Sequence, residues 1–312
     1  RIKAYQEGTL KATTVDNGAG IWQKWANANG DTDWFEEFYD HWAPSQEHNL
    51  SINGGTDKTQ YLISGSFLDQ KGLMRHGKDK FQRYTLNGKI TTAVTDWFKV
   101  TYSTKWTRED FARPSYLTGN FFHNLARKWP VHPAYDPNGF PMDEGEVEQM
   151  ENGGKQNSQK DFYTNQLQLV FEPIKNWKIN LDGSVRTTTQ YQHWEVLPVY
   201  AYNVAGDPYY TVWDMGYGSY AAGSSRVNEY SWKENYYTTN IYSDYFKQFD
   251  NGHYFKVMAG FNAELYKTRN ITAEKNTLIT PGVPTINTAT DDPQAYGGYA
   301  DNSVAGFFAR VN

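Results

Sequence analysis

The chain of 312 residues contains no cysteine, and its 30 basic and 35 acidic residues give a formal net charge of -5. These features exclude a disulfide framework and thiol chemistry, and the lack of a basic run argues against a nucleic-acid partner. Aromatic residues make up 17% of the chain although its mean hydropathy is -0.78. A polar chain with many aromatic residues is typical of β-barrels with aromatic girdles or of proteins with aromatic platforms for sugars. No apolar stretch is long enough for a transmembrane helix.

The first region, residues 1–45, shows no strand pair. Within it, DWFEEFY (33–39) predicts one or two helical turns, with Asp31 or Thr32 as the N-cap and acidic residues in the first turn. We interpret residues 1–45 as a loop region that leads into a sheet.

The next stretch, HNLSINGGTDKTQYLISGSFLDQ (48–70), alternates in character on both sides of the small polar turn 54–58. This pattern predicts a β-hairpin. One face carries Leu50 and Ile52 and, after the turn, Tyr61, Ile63 and Phe67, and the opposite face carries Ser64 and Ser66. The open question is whether the apolar face meets a core or lipid.

The same alternation recurs to the end of the chain and predicts about eight strands of roughly ten residues each. Apolar positions on successive strands include Ile90, Val100, Leu169, Leu181 and Phe261, and their polar neighbours are Lys89, Thr101, Gln168, Asp182 and Asn262. The polar positions suit either a wet lumen or a sheet that faces solvent.

The connections between these strands alternate in length. Short ones fall near 54–58, 93–96, 172–176 and 250–253, and Asp250-Asn251-Gly252 predicts a type I′ turn. Long ones fall near 69–80, 108–160, 188–234 and 267–302. Tight turns at one end and long loops at the other are typical of outer-membrane barrels, whereas compact soluble domains seldom contain such long loops.

Aromatic residues cluster where the predicted strands end. Trp97, Phe98, Trp177 and Tyr254 lie beside short turns, and Phe67, Phe81, Trp106 and Tyr163 lie beside long loops. Two aromatic belts are what two membrane interfaces favour. A large soluble sandwich with aromatic core edges remains the alternative at this point.

The segment DTDWFEEFYDHWAPSQEHNLSINGGTDKTQYLISGSFLDQKGLM (31–74) resembles the SusC/RagA family of TonB-dependent outer-membrane transporters. In that family a TDW segment precedes HNLSxSGG, a strand and an LDQxG loop. Further similarities follow in the family's order at 79–100, 124–141, 256–264 and 305–312.

This resemblance implies an antiparallel transmembrane β-barrel of twenty-two strands around an N-terminal plug domain. The chain shows neither a plug motif nor a TonB-interacting segment, so we expect a middle piece, about a third of such a barrel. Residues 46–312 would form this partial barrel, with short periplasmic turns and long extracellular loops, and the plug domain would be absent from this chain.

The resemblance also implies a function and partners. It implies TonB-dependent active import across the outer membrane of a Gram-negative, Bacteroidota-like bacterium. A SusD-like lipoprotein would form the lid, and the TonB complex would act through regions outside this chain. Family substrates are mainly oligosaccharides, which we take as the main hypothesis, and oligopeptides are the alternative.

The residues themselves carry no catalytic signature. Neither HExxH nor G-x-S-x-G occurs, so we predict no catalytic residue, no metal site and no cofactor. The acidic run DEGEVEQMEN (143–152) is interpreted as a solvated loop or short helix, with a Ca²⁺ or partner contact as the alternative.

Aromatic residues in the long loops are the candidate substrate contacts, because flat rings stack on sugars and Tyr hydroxyls add hydrogen bonds. The candidates are Trp129, Tyr135, Trp194, Tyr210 and Trp213. The alternative is that these side chains pack the loops onto one another or onto a lid subunit.

Three other classes of protein remain open: a secreted all-β glycan-binding module, a surface glycosidase and a passive porin. A pair of substitutions tests the assignment of the faces. We expect Ile179→Arg to impair assembly, since Arg in the middle of a bilayer costs roughly 2–4 kcal/mol, and Asn180→Arg on the polar face to be tolerated.

Overall fold

The computed structural model describes residues 31–135, 139–142, 145–202, 208–211 and 225–312, and of residues 201–202 and 208–211 it describes the backbone. Its strands are β1 (Ser45–Gly55), β2 (Thr59–Lys71), β3 (Lys80–Thr95), β4 (Phe98–Pro114), β5 (Lys155–Ile174), β6 (Trp177–Val196), β7 (Val199–Tyr202), β8 (Pro208–Thr211), β9 (Arg226–Gln248), β10 (Tyr254–Asn276) and β11 (Gln294–Val311). Its helices are α1 (Trp34–Phe38), α2 (Gly119–Leu125) and α3 (Val147–Asn152), with a 3-10 turn at Ile286–Thr288. Among these residues, no helix is long and apolar enough to cross a membrane.

Nine of the strands form one antiparallel sheet in the order β1-β2-β3-β4-β5-β6-β9-β10-β11. Each strand pairs with its predecessor in the chain, except that β9 pairs with β6. The exception arises because β7 and β8 form a small hairpin of their own within the connection. The predicted fold class, an antiparallel β-barrel segment, is confirmed, and the sheet formed by the described residues is open rather than closed.

The connections alternate in length as predicted, but the long ones are shorter than the sequence pattern indicated. They cover residues 72–79, 115–154, 197–225 and 277–293, because strands such as β4 and β5 continue to Pro114 and from Lys155. Near these ends both faces of the strands carry polar residues, so the alternation that marks a half-apolar strand is lost there.

Two neighbouring rows of the register separate the faces of the sheet. One row joins Val100, Leu169, Leu181, Ile241, Phe261 and Phe307 across six strands. The next row joins Thr91, Thr101, Gln168, Asp182, Asn240 and Asn262. Because successive side chains of a strand point to opposite faces, these rows define an apolar face and a polar face.

On the apolar face of β1–β6 and β9–β11, no Asp, Glu, Lys or Arg lies in the rows strictly between that of Phe98 and that of Trp106. The row of Trp106 itself includes Lys267 on β10 and Asp301 on β11. Large side chains of the apolar face are nonetheless exposed, with Ile63 at 60%, Leu86 at 57% and Phe307 at 87%. At the same height the polar face carries Lys89, Lys105, Asp182, Arg186 and Glu264. We call this charge-free stretch of the apolar face the apolar band.

The polar face is the crowded side of the sheet. Thr107, Asn180 and Thr188 on this face are only 9%, 7% and 3% exposed. Side chains on the concave side of a curved sheet converge, so the burial of these residues indicates that the sheet curves toward its polar face. The burial of Asn180 also means that Asn180→Arg, expected above to be tolerated, would meet crowded neighbours.

The turn between β9 and β10 differs from the prediction. A type I′ turn needs a positive φ at two central residues, and of Asp250, Asn251 and Gly252 only Gly252 has one, at 85°. The amide of Phe249 donates to the carbonyl of His253 at 2.8 Å, which closes a five-residue loop. The connection between β9 and β10 covers residues 249–253, close to the predicted 250–253.

Candidate functional site

Three segments at the end of the sheet with the long connections pack into one unit, which we call the loop lobe. They are residues 31–44, 72–79 and the described part of 115–154. Its core consists of Trp34, Phe38, Met74, Tyr116, Leu117, Phe121, Leu125, Ala134, Val147 and Met150. The largest of these side chains meet edge to face, with the rings of Phe38 and Phe121 5.0 Å apart. Segments far apart in the sequence are thereby held together.

Helix α1 supplies one wall of the lobe. Asp33 caps it by accepting hydrogen bonds from the amides of Phe35 and Glu36, so the cap is neither Asp31 nor Thr32 as expected. Asp33 takes this position because its carboxylate reaches two amides of the first turn. Trp34 and Phe38, four residues apart, point into the core at 4% and 0% exposure.

Backbone hydrogen bonds join the segments of the lobe. The Thr32 amide donates to the carbonyl of Pro130, and the Asp40 amide donates to the carbonyl of Leu73, both at 2.8 Å. The Arg75 amide donates to the carbonyl of Phe38 at 2.9 Å. Such bonds satisfy main-chain groups that would otherwise be buried without partners, which fixes the relative positions of these segments.

His76 joins three parts of the lobe through two carboxylates. Its Nε2 lies 2.9 Å from Oε1 of Glu37 on α1, and its Nδ1 lies 2.7 Å from Oε1 of Glu151 on α3. The hydroxyl of Tyr135 donates to the same Glu37 oxygen at 2.8 Å. Since both ring nitrogens face carboxylate oxygens, the doubly protonated imidazolium satisfies both partners.

The charge states follow from these contacts. Burial disfavours the imidazolium, but the hydrogen bonds to Glu37 and Glu151 outweigh it and raise the pKa of His76 above its usual value. The hydrogen bond from His76 lowers the pKa of Glu37 against the opposing effect of burial. Burial and the contact with Glu37 raise the pKa of Tyr135, so its hydroxyl stays protonated and donates.

Glu146 is a second polar centre, and it is buried rather than solvated as expected for the acidic run 143–152. Its side chain accepts from the hydroxyl of Tyr116 at 2.6 Å and from the amide of Asn124 at 3.0 Å. The Nζ of Lys128 lies 2.9 Å from its other oxygen. These contacts hold Glu146 in the left-handed conformation, at a φ of 62°, which non-glycine residues rarely adopt.

The two candidate substrate contacts in the loop lobe, Trp129 and Tyr135, have different surroundings. The indole of Trp129 is 67% exposed, and its backbone carbonyl accepts a hydrogen bond from the indole of Trp34 at 3.0 Å. Trp129 is therefore an exposed ring on a fixed backbone. Tyr135 packs against the core of the lobe with its hydroxyl engaged by Glu37, so it holds the lobe together.

The other three candidates lie near the connection between β6 and β9. Trp194 is half-buried on the polar face of β6, with the guanidinium of Arg226 5.4 Å from its ring centre. Tyr210 belongs to β8, where its backbone pairs with Tyr200, and Trp213 lies outside the described residues. The structure thus brings Trp129 and Tyr135 into one lobe and places Trp194 on the sheet.

No local motif marks the polar centre at His76, because Glu37 and Glu151 lie 39 and 75 residues from it. Exposed aromatic side chains of the lobe were also missed, among them Phe35 at 59% and Trp42 at 74%. The i, i+4 spacing of Trp34 and Phe38 could have shown which side of α1 stays outside. Within the described ranges, no three His, Cys, Asp or Glu residues are grouped to hold a metal ion.

Comparison with known proteins gives similarity at the level of the fold. No protein-family model matches the chain, and no curated protein matches it. Among solved structures, the RagAB peptide transporter matches 91% of this chain with a TM-score of 0.71 and 17% identity. The RagAB peptide importer matches 100% of the chain in its closed-closed state and 92% in its open-open state, with TM-scores of 0.73 and 0.69 and identities of 16% and 17%. The chain spans only 31–37% of the length of these neighbours.

Proposed function

We propose that this chain is a barrel segment of a SusC/RagA-like, TonB-dependent importer in the outer membrane of a Gram-negative, Bacteroidota-like bacterium. The observation that carries this proposal is the apolar band, which is free of charged residues while charges at the same height lie on the polar face. In a water-exposed sheet nothing would restrict the charges to one face. Lipid on one side and a wet lumen on the other would do so.

The ends of the apolar band support the same proposal. At the end with the short turns, the rings of Phe98 and Phe171 stack with centroids 4.5 Å apart, and Trp97 beside them is 51% exposed. At the other end, Trp106 and Tyr163 are register partners. Amphipathic aromatic residues favour the two interfaces of a bilayer, so the stretch between them has the character of a membrane-spanning surface.

The importer would act with a SusD-like lipoprotein lid and with a TonB complex that engages regions outside this chain. Fold similarity to the RagAB importers supports a two-component machine of this kind. The exposed apolar side chains of the loop lobe suit a lid contact, since Phe35, Trp42 and Trp129 are 59%, 74% and 67% exposed. Exposed aromatic clusters are typical of interaction sites.

For the substrate we propose an oligosaccharide, with Trp129 and Trp194 as the stacking surfaces. The exposed indole of Trp129 on a fixed backbone is the observation in favour of this substrate. Tyr210 and Trp213 remain proposed contacts on the connection between β6 and β9, and Tyr135 is proposed to act by positioning the lobe.

An oligopeptide is the second candidate substrate. It is favoured by the fold neighbours, the RagAB peptide transporter and the RagAB peptide importer. The extended polar face offers Asn, Gln and Thr side chains, such as Asn240 and Asn262, that suit a peptide backbone as well as a glycan.

Native mass spectrometry of the endogenous full-length protein, extracted from outer membranes in mild detergent, tests the proposal. We expect a polypeptide about three times as long as this chain, as for the fold neighbours, accompanied by a lipidated subunit. Ligands released in the gas phase would distinguish the substrates, since glycans and peptides fragment differently. A water-soluble species without a partner would refute the importer and favour a secreted glycan-binding module.

A further inference from the structure

A row of charged side chains lies on the apolar face immediately beyond the apolar band, on the side of the long connections. In this row the register joins Arg108 to Asp161 and, further along, Lys233 to Arg269. Arg108 donates two hydrogen bonds to Asp161, at 2.9 and 3.0 Å, so that pair is neutral. Lys233 and Arg269 are two cations directly opposite each other, an arrangement that destabilises a sheet unless an anion lies nearby.

A third cation, Lys267, lies next to this pair on β10. Its register partner Asp301 accepts a hydrogen bond from the hydroxyl of Tyr299 at 3.0 Å. Within the described part of the chain, neither Lys233, Lys267 nor Arg269 forms an ion pair, whereas Arg186 on the polar face pairs with Glu234 at 3.1 Å. Asp301 is the carboxylate beside these cations in the register, and none of the three positive charges is neutralised by an ion pair within 4.0 Å among the described residues.

The three cations line one groove on the apolar face, with a volume of about 460 Å³. Exposed apolar groups complete its wall, with Ile271 at 57% and Tyr299 at 63% exposure. A groove that combines an arginine fork with two lysines fits a phosphate group, because guanidinium binds phosphate oxygens in pairs and ammonium adds point charges.

The surface below the groove shows which phosphate compound fits. Continuing along β10 from Lys267 toward the short turns, the same face carries Leu265, Ala263 and Phe261, and Phe307 on β11 beside them is 87% exposed. A ligand whose phosphate contacts the cations would lay its remaining atoms on this apolar surface. Only an amphiphile with a phosphate head and hydrocarbon tails matches both parts.

We propose that Lys233, Lys267 and Arg269 form a binding site for the phosphate headgroup of an outer-leaflet lipid, whose acyl chains lie along Leu265, Phe261 and Phe307. The proposal rests on the membrane location proposed above. The lipid supplies the anion that the opposed pair Lys233 and Arg269 lacks, and it fixes the height of the barrel in the membrane.

A lipid titration of the full-length protein tests this site. The protein is delipidated in mild detergent and mixed with bisphosphorylated lipid A or with the same lipid after enzymatic removal of its phosphates, and bound lipid is counted by native mass spectrometry. We expect the phosphorylated lipid to bind at least about tenfold more tightly, since each charge-assisted hydrogen bond contributes about a factor of ten. The triple variant K233Q/K267Q/R269Q should reduce its binding to that of the dephosphorylated lipid.

The matched control removes three cations from the polar face, in the variant R83Q/K89Q/K105Q, and should bind phosphorylated lipid as the parent does. Should the triple variant fail to fold, the single variant Lys267→Gln, which keeps the register pair, should still weaken binding several-fold. Equal binding of both lipids, undiminished binding by the site variants, or equally tight binding of inorganic phosphate would overturn the proposal. Recovery of the protein without detergent from the soluble fraction would instead refute the membrane location itself.

Discussion

At the scale of single residues, Leu167 and Gln166 test the proposal that the apolar face meets lipid. They are neighbours on β5, one on each face, and both are exposed, so neither is held in a protein core. We expect Leu167→Arg to destabilise the membrane-inserted barrel by about 2–4 kcal/mol and to impair assembly, because it would place a charge in the bilayer. Gln166→Arg, which would face the wet lumen, should be tolerated.

Outer-membrane assembly of the full-length protein, followed by protease protection and urea resistance, measures both variants. Gln166 replaces Asn180 as the polar-face position, because Asn180 is 7% exposed and would reject Arg for steric reasons. Equal behaviour of the Leu167 and Gln166 variants would contradict the assignment of the faces.

Glu146 shows how one residue holds the loop lobe. We expect Glu146→Ala to destabilise the lobe by about 3–5 kcal/mol, because it removes a buried carboxylate that accepts hydrogen bonds from Tyr116 and Asn124 and pairs with Lys128. Hydrogen exchange of the lobe amides measures this loss. Glu148→Ala on the same helix should change exchange little, because Glu148 contacts only the exposed Asn152 among the hydrogen bonds of α3. Similar protection in both variants would show that the buried pair is dispensable.

At the scale of elements, the lobe should respond to pH through His76. The pKa of His76 is raised, so its contribution is complete below the ordinary value of 6.5 and is lost as the pH rises through the raised value. The pKa of Glu37 is lowered, so its contribution is present above 4.5 and is lost as the pH falls through the lowered value. We expect the lobe to be most stable between these limits.

Hydrogen exchange of residues 31–44 and 115–135, corrected for the intrinsic rate, measures this dependence. Protection should fall from mildly acidic to alkaline pH in the parent and stay flat over that interval in His76→Gln. His253→Gln, in the exposed turn between β9 and β10, should keep the parent profile. A decrease that persists without His76 would assign the dependence to another group.

The turn between β9 and β10 gives a second test at this scale. Gly252 has a φ of 85°, and no atom lies within 4 Å of the Cβ that a substitution would add. Gly252→Ala should therefore destabilise the hairpin through backbone strain alone, by about 1–2 kcal/mol. Gly282→Ala, without a positive φ and with only an ordinary 3.7 Å contact to Thr280, should be close to neutral. Urea titration of the folded protein compares the two, and equal midpoints would contradict the strained turn.

The elements also show what the sequence could predict. The alternation of Leu169 and Gln168, or of Leu181 and Asp182, predicts the strands and their faces because a sheet with one apolar and one polar face repeats every two residues. The long-connection ends of β4 and β5 were missed because both faces there are polar. The site was harder to predict, since the partners of His76 are distant in sequence and the burial of Tyr135 depends on how three segments fold together.

At the scale of the whole molecule, the sheet of the described residues ends in two unpaired edges. Every residue of β11 is exposed, and β1 pairs with β2 alone. Unpaired backbone groups cannot be satisfied in lipid and promote aggregation in water. We expect residues 1–312 expressed alone in a Gram-negative host to aggregate, and the longer importer proposed above to integrate into the outer membrane. Fractionation with a urea wash distinguishes the two, and stable integration of the isolated chain would contradict this expectation.

The continuous pairing of β6 with β9 has a consequence for engineering. The twenty register pairs from Trp177↔Tyr245 to Val196↔Arg226 show no shift, although the connection 197–225 with its own hairpin lies between the two strands. We therefore expect the pairing of β6 with β9 to tolerate a different connection, provided that the hydrogen bond from the Leu197 amide to the Gly153 carbonyl is kept. Under the importer function proposed above, grafting a loop of a related importer onto Val196 and Arg226 offers a route to exchange cargo preference without redesigning the sheet.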